Sequence, residues 1–542
     1  MVSIRSACAA RVGFAMLVML VVGPAHAVSV SLPKLVKQDG RFALMVEGAP
    51  FLMLSAQVNN SSSWPAMLPK VWPAVAQLHA NTVEVPIAWQ QIEPREGEID
   101  FSFLDTLLAQ ARQQHVRLVL LWFGTWKNNG PSYAPDWVKL NNERFPRVIN
   151  AKGVMRNSLS PNFPATLAAD RKAFTALMQH IQAVDGERTV IMVQVENETG
   201  TYGAVRDYSP AAQKQFEGQV PREIVDALGK RPGTWAQVFG KDADEFFHAY
   251  SIAHFVGQVA AAGKAAYPIP MFVNAALRDP FREQDPYDYA SGGPTWNVLD
   301  IWKLAAPSID VIAPDIYLHD YRGYTRTLDL YGSTTNALLV PETSNGKESA
   351  RFFFEVLGRG GLGFAPFGMD FTGYVNFPLG TAKLDDDTIE AFARNYVLVE
   401  PMMREIAALN FEGKVWGAAE PVDTHVQHLV LGSGSNPRWQ VEVSYGREMF
   451  GDGDPKGNPT PSGGVLLAEL GPDEYLVTGY HARIRFERTQ QTFKPFMLAR
   501  VEEGHYERGK WIFERLWNGD QTDWGLNFTG LPQVLRVRLA EY

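Results

Sequence analysis

Eight short apolar runs recur along most of the chain, starting near Phe51, Thr82, Val116, Thr189, Pro270, Ile309, Ala337 and Gly361. They are continuous hydrophobic stretches, the pattern of strands buried on both faces of a parallel sheet. Helical periodicity fills the gaps between several of them. Leu104, Leu107, Leu108 and Ala111 share one face at 3.6 spacing, with Ser102 as the candidate N-cap. Phe174, Leu177, Met178 and Ile181 form a second such face. Phe246, Ala249, Tyr250, Ala253 and Val256 form a third, and Ile389, Phe392 and Tyr396 mark a closing helix. Eight strand–helix units predict an α/β fold, a (β/α)8 TIM barrel. A doubly wound sheet would want a Gly-rich phosphate loop after an early strand, and none of the early strand ends has one.

Near Ala407 the pattern changes. Trp439–Tyr445, Ala482–Phe486 and Leu535–Leu539 alternate strictly, as half-buried antiparallel strands do, with Gly, Pro and Asp clusters between them. Residues 28–406 are therefore expected to form the barrel with a short N-terminal β segment. Residues 407–542 are expected to form an all-β, sandwich-like C-terminal domain. A content of 46% hydrophobic and 20% charged residues suits well-packed domains of this kind. Five of the 14 tryptophans lie in the C-terminal part, where packing against the barrel is a simpler use for them than a sugar-binding surface.

Residues 1–27 read as a signal peptide. Arg5 and Arg11 open it, Val12 to Val22 form a short apolar core, and Ala25-His26-Ala27 fits the cleavage pattern. The expected location is periplasmic or secreted, with no membrane attachment after cleavage. The single cysteine, Cys8, falls in this segment, so a chain starting at Val28 would have no disulfide, cysteine–zinc site or cysteine nucleophile. Loss of the two arginines takes the formal charge from −9 to −11. That balance disfavours nucleic acid as a partner and fits a neutral substrate such as a carbohydrate. No cofactor or metal is expected. His425 and His428 are three apart and would face opposite ways on a strand, and Gly432-Ser433-Gly434-Ser435 is not followed by a helix. The oligomeric state, a homo-oligomer included, stays open.

The fourth run ends in Glu196-Asn197-Glu198-Thr199-Gly200 and the seventh in Glu342. Parallel barrels place their chemistry at the C-terminal ends of strands. Cleavage of a glycosidic bond needs two carboxyl groups from different strands, one to protonate the leaving oxygen and one to attack the carbon or activate water. An asparagine just before the acid can bond a substrate hydroxyl. Strand alternation puts Glu196 and Glu198 on the same side, so spacing alone does not choose between them.

Gln194-Val195-Glu196-Asn197-Glu198-Thr199-Gly200 resembles the acid/base motif of glycoside hydrolase family 35, the β-galactosidases. The stretch from Trp89 to Phe101 is similar to that family's Trp-Asn-x-His-Glu-Pro-x-x-Gly-x-Phe-Asp-Phe. The resemblance runs from about Phe42 to Ile406 and extends to the wider clan A. It implies that Glu198 is the acid/base and that Glu342, ending the seventh strand, is the nucleophile. It also implies that Tyr317 bonds that nucleophile. The chain departs from the family at Thr199, usually Tyr, and at Ile92, usually His. Trp126-Lys127-Asn128 stands where the family has Ala-Glu-Trp. Around Glu342, Pro341-Glu342-Thr343-Ser344-Asn345 is more like a bacterial branch with its own C-terminal β domain, some of whose members act on galactosyl side chains of xyloglucan. The expectation is an exported, retaining exo-β-galactosidase that removes terminal galactosyl residues from plant-type oligo- and polysaccharides. Asn197, Tyr317, Asn274, Trp89 and Trp126 are the expected sugar contacts. The alternatives are another retaining β-glycosidase, a galactanase or mannosidase, and a non-catalytic carbohydrate-binding protein.

Overall fold

The computed structural model describes residues 31–432, 437–447, 453–490 and 494–542. The expected signal peptide with Cys8, and Ser433 to Ser435, lie outside the described residues. Eight parallel strands close into a barrel in chain order: Met53–Gln57, Thr82–Ala88, Arg117–Lys127, Val190–Asn197, Met271–Ala275, Val311–Ile316, Val340–Thr343 and Gly363–Pro366. Each corresponds to one of the eight apolar runs. Closure comes where the eighth strand pairs with the first, Gly363 opposite Met53 and Phe364 opposite Leu54. Tyr396, on the closing helix Asp386–Val399, fixes that seam by donating its hydroxyl to Ser55 O and Phe364 O, both at 2.8 Å.

The helices follow the predicted faces. Pro164–Val184 buries Phe174, Leu177, Met178 and Ile181, and its first residue is a proline, whose fixed φ suits the opening turn. Ala243–Ala266 is buried around most of its circumference because it lies between the helices Pro164–Val184 and Leu299–Ala305. Ser102 begins its helix without capping it. Asp100 Oδ1 instead accepts from the Ser102 N–H at 2.8 Å. No helix among the described residues is long and apolar enough to cross a membrane.

An antiparallel ribbon, Lys34–Gln38, Arg41–Val46 and Ala49–Phe51, precedes the barrel. The C-terminal region is a sandwich of a six-stranded and a four-stranded antiparallel sheet. The two sheets share one apolar core that includes Trp439, Val441, Val477, Ile484 and Leu535. The expected boundary at 406/407 falls inside the helix Met403–Glu412, and the first sandwich strand opens at Val415. The sandwich is seated on the helix Phe352–Gly358, which follows the seventh barrel strand. Backbones touch there: a Cβ on Gly417 would lie 2.0 Å from Phe354 O, so only glycine fits. Glu355 accepts from Ala419 N at 3.0 Å and Tyr480 donates to Arg394 O at 2.8 Å, which ties the two units together.

Candidate active site

The C-terminal ends of the fourth, sixth and seventh barrel strands carry Glu198, Asp315 and Glu342. One carboxylate oxygen of each lies within 4.8 Å of the other two. Glu342 is held on both oxygens: Tyr317 Oη donates to Oε1 at 2.6 Å and Gln57 Nε2 donates to Oε2 at 2.9 Å. Gln57 ends the first strand and Tyr317 follows the sixth, so three strands converge on this one side chain.

Glu198 is fixed through its backbone. It adopts φ +44°, in the left-handed region that non-glycine residues seldom occupy. Its N–H donates to Asn274 Oδ1 at 2.9 Å, and its carbonyl accepts from Asn129 Nδ2 at 2.8 Å. Asn274 is itself oriented by donating Nδ2 to Asp315 Oδ2 at 2.6 Å. The carboxyl group of Glu198 is left without a backbone donor. Burial pushes its pKa up to about 7; the Lys127 ammonium pulls the other way, Glu342 adds to the rise and contact with Asp315 lowers it. Asp315 is also held well above the usual range, by burial first and then by the charges of Glu342 and Glu198. Asn197 is fully buried, and neither end of its amide has a protein partner. A buried amide left this way is poised for a ligand hydroxyl.

Glu196 and Glu198 do not share a side. Both have positive φ, +63° and +44°, so the two-residue alternation of a regular strand breaks at this strand end. Glu196 turns outward, away from the carboxylate triangle, into the layer between barrel and helices. There its Oε2 accepts from Trp126 N at 2.7 Å and its other oxygen faces Asp170. Burial, and after it the Asp170 charge, raise the Glu196 pKa well above the carboxylate range. Asp170 in turn accepts from Thr125 N at 3.0 Å, Thr125 Oγ1 at 2.5 Å and Trp122 Nε1 at 2.9 Å. These bonds hold a wide bulge in the third strand. Trp122 is opposite Val195 but Lys127 is opposite Asn197, so five steps on one strand match two on the other.

Two expected sugar contacts are corrected, the first of them by that bulge. Trp126 is 1% exposed, with Nε1 donating to Leu159 O at 3.1 Å and its ring edge against Phe255. Trp89 is fully buried, bonds Glu93 through Nε1 at 3.1 Å and packs edge-on against Trp137. Neither indole has a face open to a sugar. Asn274 is a support for Glu198, and of the expected contacts Tyr317 and Asn197 stay at the site. Gln57, Asp315 and Lys127 are the residues sequence reasoning passed over. The rule that selected Glu342, a polar residue ending an apolar strand, applies equally to Gln57 and Asp315.

The triangle is also the geometry from which a metal ion could be held. Both oxygens of Glu342 and one of Asp315, however, already accept from Tyr317, Gln57 and Asn274, and Lys127 stands beside them. That is a donor-rich setting built for carboxyl groups, whereas a divalent ion needs acceptors turned inward.

Residues 63–241, the first half of the barrel, match a family model described as β-galactosidase, that of glycoside hydrolase family 42. Residues 392–529 match one described as a domain of unknown function. The β-galactosidase of Xanthomonas manihotis is 29% identical over 166 residues, 29% of this chain and 25% of that protein. The β-galactosidase BgaA of Thermus sp is 28% identical over 161 residues, 28% of this chain and 23% of that protein. The matches thus span about a quarter of the length of these relatives. Among solved structures, the β-galactosidase of Bacillus circulans sp. alkalophilus aligns over 66% of this chain and 57% of its own, with 15% identity and a TM-score of 0.47. The β-amylase catalytic domain of Paenibacillus polymyxa aligns over 64% of this chain and 98% of its own, with 12% identity and a TM-score of 0.46. The sequence matches support clan A and leave families 35 and 42 level within it.

Proposed function

We propose that this clan A glycoside hydrolase is an exported, retaining exo-β-galactosidase acting on terminal β-galactosyl residues of plant-type oligo- and polysaccharides, the galactosylated side chains of xyloglucan among them. The observation that carries the reading is the pairing of Glu198 with Glu342 from the fourth and seventh strand ends, one oxygen of each within 4.8 Å of the other. Retaining glycosidases hold their carboxyl groups about 5–5.5 Å apart, whereas inverting enzymes leave roughly 6.5–9.5 Å for a water. The family descriptions of the matched relatives support galactose as the sugar.

Glu342 is the nucleophile. Tyr317 and Gln57 hold its two oxygens, which orients the carboxylate toward the anomeric carbon. Glu198, with its pKa raised to about 7, carries a proton in the free enzyme at mildly acidic pH and donates it to the departing oxygen. The covalent galactosyl–Glu342 ester is then opened by water, whose proton returns to Glu198 as the Glu342 carboxylate is released. The unpartnered amide of Asn197 meets a sugar hydroxyl in both steps.

A panel of aryl β-glycosides tests the sugar. The β-galactoside should be turned over well ahead of the β-glucoside and β-mannoside, and equal rates would remove galactose from the reading. Glu342→Gly should lose turnover and regain part of it with azide, yielding the α-galactosyl azide. Full activity in that variant would remove Glu342 from its role. Release of galactose from galactosylated xyloglucan fragments tests the natural substrate.

A further inference from the structure

Beside the carboxylate triangle lies a cavity of about 360 Å³, large enough for a sugar ring, between the loops after the third and fourth strands and the hairpin 147–159. Lys127 and Arg156 both line it, and no acidic side chain does. In a chain of net charge −9 this is a local reversal of sign. Neither cation has an ion-pair partner among the described residues. Lys127 Nζ donates to Asn128 Oδ1 at 2.5 Å, and Arg156 spends Nε on Tyr202 O at 3.1 Å. Lys127 is 7% exposed, a costly place for an ammonium unless a negative group meets it. Its acidic neighbours Glu198 and Asp315 are poor counterions, since burial favours their neutral forms.

The cavity wall also holds polar atoms that the protein leaves unsatisfied: Asn60 Oδ1, Asn129 Oδ1 and Ser158 Oγ are buried without partners. Buried polar groups in a finished fold are nearly always paired, so three unpaired ones on residues lining one cavity point to a site for a hydroxylated ligand. Asn129 connects this wall to the reaction centre, because its Nδ2 bonds the Glu198 carbonyl.

We infer that this cavity binds an acidic sugar, a uronosyl residue neighbouring the galactosyl unit, with its carboxylate on Lys127 and Arg156 and its hydroxyls on Asn129 and Ser158. The inference rests on the galactosidase reading and adds to its substrate class glycans in which galactose adjoins a uronic acid. Arg156 offers the planar pair of N–H donors that a carboxylate accepts, and Lys127 adds a point charge.

The test compares β-galactosyl glucuronic acid with its methyl ester, which removes the negative charge and adds one methyl group. Wild-type kcat/KM at low salt should favour the acid by about tenfold or more, the size of one charge-assisted hydrogen bond. The advantage should shrink as salt rises. Arg156→Gln should bring the ratio close to one, and Arg156→Lys should keep part of it. A wild-type ratio of one or less, or a ratio unchanged in Arg156→Gln, overturns the inference. If an aryl β-galactoside is not turned over either, the galactosidase reading has failed, and titration calorimetry with glucuronic acid against methyl glucuronate then reads the cavity by itself. Binding of the acid alone supports the site, and equal or absent binding of the two overturns it.

Discussion

Glu198 N–H donates to Asn274 Oδ1 across 2.9 Å while the Glu198 backbone sits at φ +44°, so an amide from the fifth strand holds the proposed acid/base residue in a strained conformation. Left-handed backbone at a non-glycine residue costs on the order of 1–3 kcal/mol and persists only where neighbours over-determine it. Asp315 completes the brace by fixing which way the Asn274 amide points.

Removing that brace should cost rate more than binding. Asn274→Ala is expected to lower kcat by about 10- to 100-fold, the range for small misplacements of a catalytic group, with a much smaller change in KM. Steady-state kinetics on an aryl β-galactoside check this. A change confined to KM would place Asn274 at the substrate.

In the proposed mechanism the raised pKa of Glu198 should set the alkaline limit of activity. A proton donor with a pKa of about 7 is protonated below that pH and loses its proton above it. Wild-type kcat/KM should therefore fall above about pH 7. Glu198→Gln, measured with a leaving group that needs no proton, should lose this limb from the galactosylation step. An alkaline limb that survives in Glu198→Gln would belong to another group.

Burial and the Asp170 charge favour the neutral form of Glu196 beside the third-strand bulge, and a glutamine can copy that form. Glu196→Gln should keep both fold and most activity, because its amide can accept from Trp126 N and donate to Asp170. Glu196→Ala leaves the Trp126 N–H unsatisfied in the interior, at about 1–3 kcal/mol for a stranded polar group. Gly124→Ala should act similarly, since its Cβ would lie 2.7 Å from Glu196 Oε1 and 2.9 Å from Asp170 Oδ2. Thermal unfolding and kinetics of the three variants together separate these outcomes.

Stability should decline as pH rises from mildly acidic values. Glu84, Glu196 and Asp315 all have folded pKa values raised well above 4.5, 4.5 and 3.8, chiefly by burial. The native state then binds more protons than the unfolded chain, so the penalty begins near pH 4 to 4.5 and grows as the pH climbs toward the folded values. The melting temperature should be higher at pH 5 than at pH 8, and Glu84→Gln should narrow the gap. A melting temperature that rises over this interval would contradict the assignment.

The barrel was legible because its signal is repetitive. Eight two-face-buried strands leave apolar runs that no single residue can hide, and the helices between them show their buried faces through Leu104 or Phe174. The sandwich was legible from strict alternation around Trp439 and Leu535. What failed was local. Trp126 looked available because it follows an apolar strand, but the bulge held by Glu196 and Asp170 turns its ring into the core. Glu196 looked equivalent to Glu198 because alternation assumes extended backbone, and two left-handed residues break that assumption. Asp315 follows the apolar run that starts at Ile309, and nothing in spacing says that its carboxyl joins two others from strands far apart in sequence.

The most direct test of the central claim follows the anomer released first. During rapid hydrolysis of an aryl β-galactoside, proton NMR of the fresh product should show β-galactose before mutarotation, as two successive displacements at Glu342 require. α-Galactose appearing first would mean a single displacement by water and would contradict the roles given to Glu198 and Glu342.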